Sequence, residues 1–522
     1  MADGPQLENS HLSKGAEADV RTVATGGALQ IVGQISQRGL SMLFVAVMVR
    51  IVGNATLGVY RTVAQVLAIV GLMGLSGFNY ATMRAITKAR ARGDHGSVMG
   101  SARAGIIAAA ITSIVVGAAL FLASGPLARM FGKFDADELS FLFKVGALYV
   151  PFFALLQVLR YCTQAYKTML PSVIAGNILQ PGLFTIAGIA AVIAGLEVTG
   201  LITILVASMG ISAVVAGVLF LRLMSPEERS ATPRADIGSM VRFALPQAGA
   251  SLLSIQSLGG GLLLLGIAGQ TREAVGLFAI ALALQGPGSV FLGGIVNVWA
   301  PVVTDLYEAG EIKRLGSLYQ TINRWVVTFS FPIFAALIID PGLFAVVLAG
   351  HKGAGAATAV AILAVGNIFY TGTGPTGYLI SMTGHPTVNL VNSVVGVALY
   401  VGVGLWVVPE HGIVGMALVD AGVTAVINSV RVVEAYFLVG IQPFGRTFLK
   451  PVLATITGSG VLLAWRLVPG NGILLRLVGL ACSGVAYFLV LKRLGVEQEE
   501  RHVWERVRNR IGRNRRSAKD PG

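Results

Sequence analysis

Charge is scarce in this sequence. Asp, Glu, Lys and Arg together make up 12% of 522 residues, where an ordinary soluble domain carries about a quarter. With 54% hydrophobic residues and a mean hydropathy of +0.75, the deficit excludes a soluble globular domain and implies a chain that crosses a bilayer repeatedly. Cysteine is scarcer still. Cys162 and Cys482 both fall in apolar segments and offer neither a disulfide framework nor metal-ligand spacing. The few histidines, His351 and His385 among them, sit in loops or tails without ligand spacing. No nucleophile–base arrangement, glycine-rich phosphate loop or metal motif is present. These absences argue against an enzyme, an ATP-driven pump and a bound cofactor or metal. A large extramembrane loop is also missing: the longest expected outer loop, near 125–138, is too small to carry the catalytic set of a membrane polymerase or glycosyltransferase.

What the chain has instead is length in its apolar runs. Fourteen are evident, at roughly 23–50, 54–77, 102–125, 139–163, 172–195, 198–223, 241–268, 275–300, 325–349, 357–382, 388–408, 412–438, 449–468 and 473–494. About 20 apolar residues at 1.5 Å per residue span the hydrocarbon core, so the expected fold is an all-α polytopic membrane protein of about 14 transmembrane helices. The polar first twenty residues predict no cleavable signal peptide. Basic residues collect in 84–103, 222–242 and 313–324 and alternate with short or acidic loops such as Asp135–Glu138. The positive-inside rule then places these loops and both termini in the cytoplasm. Trp299, Trp325, Trp406 and Trp465 fall at expected helix ends, as an interfacial belt requires. Net charge is +14, and ten basic residues lie from Lys492 onward. Following a membrane helix directly, that tail is expected to bind anionic lipid rather than nucleic acid. Trp504, Val507 and Ile511 give it one apolar face.

The first two segments hold the sequence's main anomaly. Arg38 lies near the middle of the first and Arg61 about two turns into the second. A cation at that depth costs at least about 2.5–3.5 kcal/mol, so it belongs in a wet cavity or against a partner, not in lipid. Gln30, Gln34 and Arg38 recur every fourth residue, with Gln37 and Ser41 beside them, and so form one polar stripe. Similar stripes mark the seventh segment (Gln247, Ser251, Ser254, Ser257) and the eighth (Gln285, Ser289, Gly293, Asn297). Such stripes either line a water-filled chamber or pack helices together. Asp420 is the lone acid well inside a segment, able to hold a proton or cation but more readily paired with a nearby arginine. Arg50, Lys144 and Arg160, near segment ends, are expected to snorkel. Arg431 and Glu434, three apart, are expected to neutralise each other.

A weak internal repeat divides the chain. Leu57-Gly58-Val59-Tyr60 recurs as Val275-Gly276-Leu277-Phe278, Thr87, Gly93 and Asp94 as Thr304, Gly310 and Glu311, and Pro171, Val173 and Asn177 as Pro386, Val388 and Asn392. The offsets are nearly constant and span six helices, an even number, so the halves share an orientation. The expected organisation is a polar tail (1–22), an N-lobe (23–223), a linker (224–240), a C-lobe (241–440), two appended helices (441–494) and a basic tail (495–522). Breaks at Gly286-Pro287-Gly288 and Gly372-Thr373-Gly374-Pro375 give points where helices can bend.

Arg50-Ile-Val-Gly53 closing the first helix and Leu57-Gly58-Val59-Tyr60 opening the second resemble the polysaccharide-biosynthesis branch of the multidrug/oligosaccharidyl-lipid/polysaccharide exporter superfamily. Gly276-Leu-Phe278, Pro301, Gly384-His385-Pro386 with Asn389 and Asn392, and Gly412-Ile413-Val414-Gly415 extend the resemblance over about 23–490. It implies a two-lobed flippase that carries polyprenyl-diphosphate-linked oligosaccharide across the bacterial inner membrane by alternating access. Other polysaccharide-assembly proteins are possible partners. Arg38 and Arg61 would neutralise the diphosphate, while Gln30, Gln34, Gln285 and Asn297 would bond sugar hydroxyls. Ser257-Leu-Gly-Gly-Gly261 stands where many relatives carry an acid, so ion coupling would fall to Asp420. The competing expectation on the same fold is a cation-coupled multidrug exporter, which needs carboxylates in its cavity.

Overall fold

The computed structural model describes residues 29–252, 259–468 and 472–495, and every described element is helical. Helix α1 (Leu29–Val52) meets α2 (Asn54–Leu75) at Gly53. The φ of 92° there is a conformation that glycine alone adopts without strain. After a bend at Gly77 come α3 (Phe78–Ala91), α4 (His95–Leu122), α5 (Ala136–Gln164), α6 (Leu170–Ile193) and α7 (Val198–Leu223). A π-helical turn occupies Ile174–Leu179 inside α6. The second half holds α8 (Ile237–Leu252), α9 (Gly260–Ile267), α10 (Arg272–Glu308), α11 (Ile312–Ile339), α12 (Pro341–Ala349), α13 (Ala357–Gly372), α14 (Thr376–Met382) and α15 (Pro386–Val439). Last come α16 (Leu449–Arg466) and α17 (Ile473–Arg493).

Twelve of the described helical stretches are long and apolar enough to cross a membrane. One of them, α15, runs 54 residues and turns at Gly412 (φ 54°, ψ −135°), which separates the two apolar segments expected there. The expected segment 241–268 corresponds to α8 and α9. Each of the fourteen apolar runs thus has a helical counterpart. Of the expected polar stripe in that segment, Ser254 and Ser257 lie outside the described residues, as does the Ser251 side chain. The tails before 29 and after 495, with the lipid-binding stretch expected there, lie outside them too.

Three expectations are corrected. Helix α11 begins at Ile312 rather than near 325, and Arg324 is buried within it instead of lying in a basic loop. The reason is that its polar face has tertiary work. Asn323 donates to the Gly372 carbonyl at 2.8 Å and the Tyr319 hydroxyl to the Thr373 carbonyl at 2.9 Å, satisfying backbone freed at the Gly372–Pro375 break. Trp299 does not join an interfacial belt: it is 1% exposed and stacks on Tyr319 at 5.8 Å, whereas Trp406 is 79% exposed. Nor does Gly286-Pro287-Gly288 interrupt α10. Gly288 instead lets Phe334 approach to within 2.4 Å of where a Cβ would stand.

The stretch after α7 is docked rather than loose. Ser225 and Glu228 form a capping box, and Glu228 accepts from Arg90 at 3.1 Å and from the Tyr166 hydroxyl at 2.8 Å. Burial pushes the Glu228 carboxyl up, but the Ser225 N–H, Tyr166 and Arg90 outweigh it and hold the group below the ordinary carboxylate range. Further along, the Arg234 N–H donates to the Gly96 carbonyl at 3.0 Å.

The α16–α17 pair is fastened to α11–α12 by ions. Arg476 donates from Nε to Asp340 at 2.8 Å and from Nη2 to its other oxygen. The Asp340 carboxylate is 3% exposed and also caps Leu343. Removing one partner of a buried pair costs about 3–5 kcal/mol; with the Arg476 side chain 30% exposed, Arg476→Ala belongs at or below about 3 kcal/mol. The expected result is a clear drop in the thermal midpoint of the purified protein. Much of it should be recovered in Asp340→Asn/Arg476→Met, where no charge is left unpaired.

Candidate functional site

A cavity of about 510 Å³ opens between the two halves of the chain, within the range of small-molecule sites. The polar stripe of α1 faces it through Gln34, Arg38 and Ser41, and α2 adds Arg61 and Gln65. From the second half come Gln285 and Ser289 on α10, Asn367 and Tyr370 on α13, and Asn392, Asp420, Asn428 and Arg431 on α15. Small residues make this possible. A Cβ at Gly286 would stand 3.1 Å from Arg38 Cδ and one at Gly293 2.9 Å from Gln34 Oε1, so glycines there let α10 lie against the stripe without displacing these side chains.

Three guanidinium groups reach this space. Arg61 bonds Ser41 Oγ at a long 3.4 Å and lies 5.9 Å from the Tyr60 ring, yet its Nε is buried without an acceptor. Arg431 carries a second buried Nε without an acceptor. Arg38 has no hydrogen-bond partner among the described residues and is exposed to the cavity. Tyr370 sits within electrostatic reach of both Arg38 and Arg431. A buried donor left unpaired costs about 1–3 kcal/mol, more when charged. Two such donors lining one cavity make a site that an anion with several acceptor oxygens would relieve.

The expected residues fall out unevenly. Arg38, Arg61, Gln34, Gln285 and Asp420 share the cavity; Gln30 lies on α1 but is not among its lining residues, and the Asn297 side chain lies outside those described. Gln285 lines the wall with its amide already committed, donating to the Val360 carbonyl at 3.1 Å and accepting from Asn367 at 3.4 Å. Asp420 pairs with no arginine among the described residues: its partner is the Tyr400 hydroxyl at 3.1 Å. Arg431 and Glu434 form no ion pair among the described residues: Glu434 accepts from Asn392 and stays only within electrostatic reach of Arg431. Arg431 is therefore the residue that reading the sequence missed. Its only signal was its position in an apolar helix, and its i+3 carboxylate masked that signal. Arg160 does not snorkel either, but is held inside the first half by Ser172, Gln157 and Asn177. No group of three or more metal-ligating side chains occurs among the described residues.

One end of the cavity is shut by contacts between the halves. Arg50 donates to the Val347 carbonyl at 2.6 Å, Asn54 to the Lys352 carbonyl at 2.8 Å, and Lys352 back to the Arg50 carbonyl at 3.2 Å. Arg272 meets Glu138 at 3.5 Å. Between them α2 and α10 cross backbone to backbone. A Cβ at Gly58 would stand 1.9 Å from the Arg272 carbonyl oxygen, and one at Gly276 2.0 Å from that of Asn54. These four residues exchange under the sequence repeat, 58 for 276 and 54 for 272.

Residues 23–307, more than half of the chain, match the family described as polysaccharide biosynthesis protein. No curated protein matches significantly. Among solved structures, the lipid II flippase MurJ in an inward closed conformation superposes with a TM-score of 0.72 at 10% identity, over 89% of this chain and 98% of that one. A multidrug resistance MATE family transporter of the MOP superfamily, inward-facing, gives 0.64 at 16% identity, over 78% and 98%. A MOP superfamily transporter from Pyrococcus furiosus gives 0.56 at 17% identity, over 81% and 96%. At these identities the likeness establishes the fold.

Proposed function

The chain belongs to the polysaccharide biosynthesis protein family, and from that premise we propose that it is a flippase for polyprenyl-diphosphate-linked oligosaccharide, working by alternating access in a bacterial cytoplasmic membrane. The observation that carries the reading is the set of three guanidinium groups in one cavity, two of them with an orphaned buried Nε. A diphosphate brings the charge and the acceptor oxygens that this set lacks. Arg38, Arg61 and Arg431 hold it by charge-assisted hydrogen bonds. Gln34 and Gln65 face the sugar together with the side-chain carbonyls of Asn367 and Asn428, whose amide nitrogens donate to Leu363 and Thr424, and the polyprenyl chain remains in lipid. Gln285, its amide already committed, shapes the wall.

The moving parts are the lobes 23–223 and 241–440, joined by 224–240, with 441–494 riding on the second through the Asp340–Arg476 pair. With the basic loops and both termini in the cytoplasm, the end stitched by Arg50, Asn54 and Lys352 faces outward, so the cavity loads from the inner leaflet. The tail 495–522 adds attraction to anionic headgroups.

Asp420 favours a second reading, a cation-coupled multidrug exporter. One carboxylate bonded to Tyr400 among three guanidiniums makes a poor seat for an organic cation, because like charge opposes the cargo. A deletion strain separates the two. It should lose surface glycan and keep its drug susceptibility; unchanged glycan with heightened susceptibility would favour the exporter.

A further inference from the structure

Arg160 is not among the residues lining the cavity, yet it holds one of the most elaborate polar arrangements in the first half. Its guanidinium donates from Nε to the Ser172 carbonyl at 3.1 Å and to Ser172 Oγ at 3.3 Å, from Nη1 to Gln157 Oε1 at 3.2 Å, and from Nη2 to Asn177 Oδ1 at 2.8 Å. Every acceptor is neutral, and no carboxylate pairs with it among the described residues. It is not one half of a salt bridge; its donors act as a clamp. We propose that Arg160 is a positioning residue for the anion site: through Asn177 and Gln37 it fixes the rotation of α1, and with it the direction in which Arg38 points. The inference rests on the proposed reading in taking Arg38 as a headgroup contact.

The link is continuous. Asn177 accepts from Arg160 and donates its own Nδ2 to Gln37 Oε1 at 2.9 Å. Asn177 belongs to the π-helical turn Ile174–Leu179, where one residue more per turn alters the phase of the helix face. The turn fits around the guanidinium because residue 176 is glycine: a Cβ there would stand 2.2 Å from Arg160 Cζ. On the facing helix, Gly33 lets α1 press on the same turn, since a Cβ would stand 2.7 Å from Val173 Cγ1 and 3.1 Å from Asn177 Cβ. Gly33 and Gln37 are four apart and form the stripe of α1 that α6 holds. Gln34, Arg38 and Ser41 form the neighbouring stripe that faces the cavity. With a helix radius of about 5–6 Å, a roll of about 30° sweeps the Arg38 head by about 3 Å. That displacement is enough to break a hydrogen bond to a bound oxygen.

The test uses the purified full-length protein and undecaprenyl diphosphate as probe. Arg160→Gln and Gln37→Met, the latter leaving the Arg160 clamp intact, should each weaken binding about tenfold, the loss of one charge-assisted bond. In an Arg38→Ala background neither should weaken it further, because the effect runs through Arg38. A purely structural role would lower the thermal midpoint and leave affinity per folded molecule untouched. A second measurement needs no lipid. In Arg38→Cys/Cys482→Ser protein, adding Gln37→Met should change the rate of thiol labelling by a charged methanethiosulfonate about threefold or more. Unchanged labelling and affinity, or equal losses with and without Arg38, would overturn the proposal. If the wild type does not bind the probe, the substrate reading fails, and the labelling rate alone decides the positioning role.

Discussion

Protein carrying Arg38→Ala and Arg61→Ala together should accumulate in the membrane normally and export no glycan. Each guanidinium is assigned at least one charge-assisted hydrogen bond to the diphosphate, worth about 1.5–3 kcal/mol. Losing two amounts to about 3–6 kcal/mol, or about 10²–10⁴-fold in affinity. Each single variant should fall between wild type and the pair. Stability should move the other way. Arg61 Nε is buried without an acceptor and Arg38 has no hydrogen-bond partner among the described residues, so truncating them removes desolvated charge at the loss of one long bond to Ser41 and a distant contact with the Tyr60 ring. A thermal midpoint that holds or rises while export disappears is the signature of a binding role. Lysine at both positions keeps the charge but not the planar fork, and should restore only part of the activity. A midpoint that collapses with the activity would mark these arginines as structural.

Gly58→Ala combined with Gly276→Ala should have the second largest effect, by a different route. The atoms that new methyl groups would meet at 1.9 and 2.0 Å are carbonyl oxygens of the opposite helix, which cannot rotate aside as a flexible side chain can. Helices α2 and α10 must therefore part at the end that Arg50 and Lys352 stitch. Overpacking costs about 1–3 kcal/mol per site, and two sites in one interface are expected to couple. That cost falls only on the arrangement closed at this end, so the population shifts toward the one open there. Ser41→Cys, in the cavity, reports it. Labelling by an impermeant thiol reagent added from outside should rise about tenfold or more, the factor that corresponds to 1.4 kcal/mol. Labelling and thermal midpoint both unchanged would show that the crossing is not a seal.

The sequence carried the frame of this protein and part of its site. Apolar run length gave each expected segment a helical counterpart, twelve of the described stretches being long and apolar enough to cross a membrane, because hydrocarbon thickness imposes it on the chain directly. Depth singled out Arg38 and Arg61 for the same reason: a cation in mid-segment has few alternatives. What stayed hidden depends on partners distant in the chain. Glu434, three residues from Arg431, is within its electrostatic reach but forms no ion pair with it among the described residues, since its carboxylate accepts from Asn392, 42 residues earlier. Arg160 looked free to reach the interface until Ser172 and Asn177 were found to surround it. Helix α11 began thirteen residues ahead of its apolar run because Tyr319 and Asn323 serve the broken backbone near Gly372, a role that hydropathy reads as loop. Gln285, chosen for its stripe, proved to be tied to Val360 and Asn367. Periodicity can assign a face to a residue, but not whether its hydrogen bonds are already taken.

The central claim is that this cavity welcomes an anionic lipid headgroup and delivers it to the other leaflet. Purified protein in liposomes, given a fluorescent undecaprenyl-diphosphate-linked oligosaccharide, measures it directly through the fraction of label quenched by an impermeant reagent over time. Wild-type protein should equilibrate the label between leaflets and the Arg38→Ala/Arg61→Ala protein should not. Equal rates for the two, or no movement above protein-free liposomes with wild type, would contradict the account.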